Sequence, residues 1–356
     1  MITKFGKRFL TNQIAGNVPN LNKDIAIGID YSAESEDNTR LGFEFYRVPV
    51  LFGTTDIQTE DDSTTYSVIF KTTIPQDVEG IINEIGLYPS TRSSINNFDS
   101  KFITDFESYL DWTDTDGFKP DYLTSISRIG NTLLLMQSLE GNSNEYIYNI
   151  ENLDLSGYSV NDSLKLAYYK QDENLNSIKI KFYHTDDSWF LKTITPEAGT
   201  GHKITADIPM SEVFNGSTSP GPDKSNINKI GIIIEPIESE ISYVGFDGLR
   251  INDEDTFDPI FGLISRSLVI TNTSISGTSE ENTIVVDSVS NLFVGQPVSG
   301  TGVAAGSEIT NISGYTVTLS KNNIATVSGS GNFYGIQKLA GRPLDLEYRL
   351  DLEWNI

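Results

Sequence analysis

Residues 344–354 constrain this chain more than any other stretch. Leu344, Leu346, Tyr348, Leu350, Leu352 and Trp354 alternate with Asp345, Glu347, Arg349, Asp351 and Glu353. A strict period of two sends every apolar side chain to one face and every charge to the other, the pattern of a half-buried β-strand. A single strand leaves its backbone donors and acceptors unmet and its apolar face in water. It must therefore dock on a sheet made elsewhere in the chain. Two upstream stretches, 41–52 and 66–74, are long and alternating enough to receive it. The reading is a domain split between residues 1–90 and 336–356, with everything between them inserted.

The inserted part reads as β too. Thr, Ser, Asn, Gly and Ile abound and aromatic residues are frequent (16 Tyr, 18 Phe, 3 Trp), a bias toward strands and turns. Within 98–252, short alternating runs fall at 102–110, 132–137, 145–150, 163–169, 177–183, 189–195, 203–209, 229–235 and 243–251. Polar turns separate them, which predicts a two-sheet sandwich. Residues 265–335 shift to Thr, Ser, Val and Gly with few charges and read as a third, small β-rich module. Residues 54–65, 91–97 and 253–263 read as loops or connectors. A helix is expected at 1–16, where Ile2, Phe5 and Phe9 recur at helical spacing and Gly16 can close the end. The expectation is an all-β chain of several antiparallel sandwiches with one short N-terminal helix.

Charge and composition narrow the chemistry. With 49 acidic against 25 basic side chains the formal charge is −24, which repels phosphate backbones and anionic membranes. No apolar run approaches the ~18 residues of a membrane span, and no apolar segment of a signal peptide follows Lys4, Lys7 and Arg8. The sequence has no cysteine, so disulfides, thiolate nucleophiles and Cys-based metal sites are excluded. His184 sits near Asp186 and Asp187, but a divalent metal needs three or four converging ligands, and the stretch reads as a solvated turn. His202 ends Gly199-Thr-Gly-His202, which lacks the helix and Lys-Ser/Thr of a phosphate cradle. There is no Gly-x-Ser-x-Gly elbow. Neither an enzyme nor a cofactor is expected.

Aromatic residues give the better lead. Trp112, Phe118, Tyr122, Tyr168, Tyr169, Tyr183 and Trp189 all fall within 98–252. Flat rings flanked by polar groups suit sugars. Tyr168 and Tyr169 are neighbours on one strand, so one faces in and the other out. Trp112, Tyr169 and Trp189 are the candidate glycan contacts, with core or edge packing as the competing reading.

Several motifs carry family resemblances. A short helix, Ile25-Ala-Ile-Gly28, Thr39-Arg-Leu41, Arg47 and Glu84-Ile-Gly-Leu-Tyr88 follow in an order that resembles the N-terminal domain of tailed-bacteriophage tail-fibre and tail-associated proteins. Gly28-Ile-Asp30 departs from the G-x-G turn of that pattern. The glycine-punctuated stretch from Leu292 to Gly314, followed by Tyr315-Thr-Val-Thr-Leu-Ser320, resembles a small β module that recurs in phage tail and fibre proteins. Asp105-Phe-Glu107 and the 243–251 strand resemble the two ends of a carbohydrate-binding-module jelly roll. That likeness implies first and last strands side by side, with Asp105, Glu107 and Asp247 as oxygen ligands of a structural calcium ion.

Together the resemblances imply a non-enzymatic structural protein of a tailed-phage virion, in the tail, baseplate, neck or fibre, assembled in the host bacterial cytoplasm. The split terminal domain would anchor it to other virion proteins, and copies would associate as a trimer or in the symmetry of the tail. The alternative is a receptor-binding protein whose 98–252 sandwich grips a host surface glycan.

Overall fold

The computed structural model describes residues 2–4, 6–8, 11, 22–32, 35–60, 63–90, 101–124, 126–159, 161–216, 223–252, 262–265 and 269–355. The protein is all-β, built from antiparallel sheets. Residues 4, 6–8 and 11 are helical; the rest of the helix expected at 1–16 lies outside the described residues. So do the 91–97 connector and most of 253–263.

The strand Leu344–Asn355 pairs along its whole length with Ser63–Ile74, placing Tyr348 opposite Phe70 and Leu350 opposite Val68. Ser63–Ile74 pairs on its other side with Phe52–Glu60. The loop expected at 54–65 is thus mostly a hairpin, because β-branched Thr54, Thr55, Ile57 and Thr59 outweigh its acidic composition. The run expected at 41–52 is cut short as Glu44–Pro49, since proline cannot donate to a ladder. A further short pair joins Ile336–Lys338 to Gly80–Ile82. A four-stranded sheet runs Gly262–Ser265, Glu84–Ser90, Asn22–Gly28, Glu44–Pro49. Tyr348 and Leu350 from one end of the chain share a buried core with Ile25, Ile27, Phe70 and Leu87 from the other.

The N-terminal motif residues interlock. The buried Glu84 carboxylate accepts backbone N–H groups from Gly42 and Phe43, both at 2.9 Å, and from Asp30 at 3.3 Å. The Tyr88 hydroxyl accepts the Leu41 N–H at 3.0 Å. Arg47 lies 3.9 Å over the Tyr88 ring and grips Glu44 side-on. Gly28 tolerates no side chain, because a Cβ there would stand 2.2 Å from Glu84 Oε1. Burial, with the Asp30 charge adding to it, pushes Glu84 up to about 8 against the pull of those backbone donors. These motifs do structural work: they fasten the 41–43 loop to the sheet.

The 101–252 region is a sandwich. One sheet runs Gly201–Ile204, Ser163–Lys170, Tyr243–Asn252, Leu133–Gln137, Asp121–Leu123; the other runs Trp189–Ile194, Leu175–His184, Ile227–Pro236, Asn144–Leu153, Trp112–Asp114. Lys101–Thr104 and Ile208–Pro209 complete the first sheet at seven strands. Ile180, Phe182, Ile232, Leu166 and Phe246 are among the residues that fill the space between the sheets. The first strand lies beside the last, Tyr243–Asn252. The run expected at 102–110 stops at Thr104 and turns away through Phe106, whose φ is 57°. The run at 203–209 breaks into two short strands, followed by a helix, Met210–Asn215, that the sequence reading missed. Downstream, Val269–Asn272 to Gly331–Tyr334 form a separate seven-stranded sheet around Ile275, Val298, Val317 and Phe333.

One loop of the sandwich joins the three parts. Asp247 accepts the N–H groups of Arg128 (2.9 Å) and Ile129 (3.3 Å) and the Ser127 hydroxyl (3.1 Å), which fixes residues 127–129. The Arg128 carbonyl accepts the Ile81 N–H, and Gly130 donates to the Glu79 carbonyl. The Arg128 side chain reaches Glu308 at 2.7 Å. The other Glu308 oxygen is 2.5 Å from His202 Nδ1, and His202 Nε2 is 2.6 Å from the Ile126 carbonyl. Ile29 and Phe43 pack with Ile129 and Ala167, while Arg40 pairs with Asp207 and Lys165 donates to the Gly42 carbonyl. Lys165, Ala167, His202 and Asp247 all belong to the seven-stranded sheet of the sandwich. Its outer face is therefore covered.

Two expectations follow. Leu350→Ala should lower the unfolding free energy by about 2–5 kcal/mol, whereas Asp345→Ala on the opposite, exposed face should stay within about 0.5 kcal/mol; urea titration separates them. Burial alone would raise the Glu308 carboxyl, but Arg128 and His202 override it and hold it at about 2. A depressed folded value contributes stability above the ordinary Glu range and loses it as pH falls from about 4.5 toward 2. Glu308→Gln, which leaves Arg128 buried and uncompensated, should cost about 3–5 kcal/mol at neutral pH and flatten that acid limb in urea midpoints measured against pH.

Candidate functional site: the outer face of the five-stranded sheet

With the seven-stranded sheet covered, the second sheet presents the open face of the sandwich. Alternation sends Ile178, Ile180 and Phe182 inward and Ser177, Lys179, Lys181 and Tyr183 outward. The tight turn through His184–Ser188 brings Trp189 directly opposite Tyr183. Gly231 on the next strand lies opposite Lys181 and Ile147. A Cβ at Gly231 would stand 2.4 Å from Glu145 Oε1 and 3.1 Å from the Tyr183 ring. The glycine thus makes room for these two side chains to meet across its strand.

They meet by hydrogen bonds. The Tyr183 hydroxyl donates to Glu145 at 2.5 Å and accepts from Lys181 at 3.0 Å. The Lys181 ammonium lies 5.1 Å from the Tyr183 ring centre and 5.3 Å from that of Trp189, within range of a cation–π attraction. Burial first, and then the Glu145 bond, raise the Tyr183 hydroxyl well above the usual phenol range, so it stays a donor at any ordinary pH. Lys179 pairs with Glu235 at 3.1 Å and Lys229 with Asp187 at 2.9 Å. The face is a half-exposed pair of rings set among matched donors and acceptors. That chemistry, rings beside hydrogen-bonding groups, is of the kind that suits a flat polyhydroxylated molecule.

The three glycan candidates fare differently. Trp189 is on this face. Trp112 is 1% exposed and stacked between Phe106 and Tyr148, both at 5.2 Å, so it is core. Tyr169 points outward from its strand but meets the edge of His202 at 5.0 Å, inside the junction. Sequence reasoning left Tyr183, Lys181 and Glu145 out of the site. The alternation of Lys179, Lys181 and Tyr183 ahead of a short turn to Trp189 was the available signal.

The calcium trio does not assemble. Asp105 caps the Glu107 N–H at 3.2 Å, and Glu107 accepts the N–H groups of Asn131 and Thr132 at 3.0 and 3.1 Å. Asp247 is buried under its own three donors. Among the described residues no group of three or more His, Cys, Asp or Glu side chains could hold a metal ion. His184 Nδ1 is 2.9 Å from Asp186 in a turn, as a solvated strand end.

The sequence matches no protein-family profile and no curated protein. It is similar in part to solved structures. A family 11 carbohydrate-binding module from Clostridium thermocellum, in complex with a beta-1,3-1,4-mixed-linked tetrasaccharide, aligns at 15% identity and a TM-score of 0.31, over 43% of this chain and 95% of that one. A family 30 carbohydrate-binding module aligns at 15% identity and 0.33, over 52% and 89%. An exo-beta-agarase aligns at 15% identity and 0.33, over 44% of this chain but only 25% of its own. The chain spans about a quarter of the agarase structures it matches.

The two tryptophans give a direct check of the placement. Trp112→Ala should cost about 3–5 kcal/mol, as for a fully buried ring. Trp189→Ala, half in water, should cost less than about 1.5 kcal/mol. Denaturation midpoints of the two variants distinguish core from surface.

Proposed function

We propose that this protein is a non-catalytic attachment protein whose sandwich takes a saccharide on the outer face of the five-stranded sheet. The observation that carries the reading is the Trp189–Tyr183 pair, set across Gly231 from Glu145 and beside Lys181. Rings of this kind cover the apolar face of a sugar, while Lys181, Glu145 and the Tyr183 hydroxyl offer donors and acceptors to its rim. The network is already hydrogen-bonded within itself, so little order has to be created on binding. The split terminal domain is the mount, and the junction around Arg128 holds the sandwich with its open face outward.

The mount we assign to a tailed-phage virion. The residues that resemble the phage domain, Gly28, Arg47, Glu84 and Tyr88, act as one interlocked unit, which supports reading them as one inherited motif. Association with other virion proteins and with further copies of this chain belongs to this proposal.

A glycan array probed with the full chain tests the reading. Binding to a saccharide should fall at least about tenfold in Trp189→Ala and in Tyr183→Ala, with Tyr169→Ala unchanged. Binding that survives loss of both Trp189 and Tyr183, or no binding across the array, would remove the attachment role and leave a structural one.

A further inference from the structure

A second exposed apolar cluster lies away from the Trp189 face. Leu110, Phe118 and Tyr122 are 59%, 69% and 50% exposed. Three local contacts link the segments that carry them. The Tyr122 ring stacks on Tyr109 at 4.8 Å, the Lys119 ammonium binds the Leu110 carbonyl, and the Asp114 N–H donates to the Phe118 carbonyl at 2.8 Å. Trp112–Asp114 and Asp121–Leu123 are each the last strand of their sheet, and Trp112–Asp114 stands at the opposite end from Trp189–Ile194. The cluster therefore sits on an open edge, where unpaired strands invite a partner.

Its rim is acidic to an unusual degree. Residues 105–121 contain Asp105, Glu107, Asp111, Asp114, Asp116 and Asp121 against Lys119 alone. Asp105, Asp111, Asp116 and Asp121 are exposed, and among the described residues none has an ion-pair partner. The ammonium of Lys119 is already held by a backbone carbonyl. The Trp189 face differs, since Glu145, Glu235 and Asp187 each stand beside a lysine. An apolar knob ringed by unmatched carboxylates fits a cationic partner that carries an apolar group of its own.

We infer that the Leu110–Phe118–Tyr122 edge is a second docking surface, for a positively charged segment of another protein that seats an apolar side chain between the rings. It serves attachment to a neighbouring protein and is independent of the sugar face. Charge draws the segment in and the exposed rings fix where it stops.

The test uses the full chain and a fluorescein-labelled peptide of alternating Lys and Leu, read by fluorescence anisotropy. Binding should weaken between low salt and ~0.5 M salt. It should fall at least about tenfold in the triple variant Leu110→Ser, Phe118→Ser, Tyr122→Ser and in the triple variant Asp111→Asn, Asp116→Asn, Asp121→Asn. Trp189→Ala should leave it unchanged. Equal binding by the serine variant would reduce the effect to general attraction to an acidic chain and overturn the inference. A neutral oligosaccharide losing affinity in the serine variant, with the peptide unaffected, would overturn it too. These side chains are exposed, so the variants should keep the parent's thermal melt; if the triple does not, Phe118→Ser alone carries the comparison.

Discussion

Arg128 and Glu308 face each other where almost no water reaches, and the architecture depends on keeping that pair. They are 2% and 3% exposed and come from different parts of the chain. A buried ion pair gains little net stability over an apolar contact, because both charges have lost their hydration. What it supplies is uniqueness. Any packing of the small module against the sandwich that misaligns the pair buries a charge without its partner, so one packed placement is favoured over its neighbours. His202 strengthens this, since both its ring nitrogens face oxygen acceptors, one of them on Glu308. Asp247 does the same for the loop that carries Arg128, and burial lifts its own carboxyl to about 6 against the pull of His202 and the backbone donors.

This junction determines which surface is left for function. A two-sheet sandwich has two outer faces of similar size. Here one is taken by Phe43, Arg40 and Glu308 from the neighbouring parts, and its aromatic Tyr169 is spent on His202. The other keeps Trp189 and Tyr183 in reach of solvent. The choice of the candidate face therefore rests on packing between parts of the chain, beyond any property of the sandwich taken alone.

Period-two patterning made much of the fold legible. The 344–354 alternation demanded a distant partner, and the ladder to Ser63–Ile74 is present, with Tyr348 and Leu350 buried beside Phe70 in a shared core. Boundaries were less legible where short-range chemistry overrode composition, as at the Thr-rich residues 54–65, which looked like an acidic loop and lie mostly in a hairpin. The site was only half legible. Trp189 follows a turn and lies on the open face, whereas Trp112 looked equivalent and is core, since nothing in its sequence neighbourhood reveals the Phe106 ring folded onto it. The carboxylates of the supposed calcium site were real outliers in the pattern, but their role is to cap backbone N–H groups. For Glu107 and Asp247 that role needs a third dimension to recognise, because their donors come from residues 127–132.

The central claim is that the sandwich is held by one face through a buried polar junction. Because the chain has no cysteine, spin labels can be attached at cysteines introduced at the exposed positions Thr193 in the sandwich and Tyr315 in the small module. Double electron–electron resonance at neutral pH then reads the distance between the two parts. A single narrow distribution, broadened when Glu308 is replaced by Gln, is the predicted result. A broad distribution in the parent protein would contradict the account, because the covered face would then be open for part of the time.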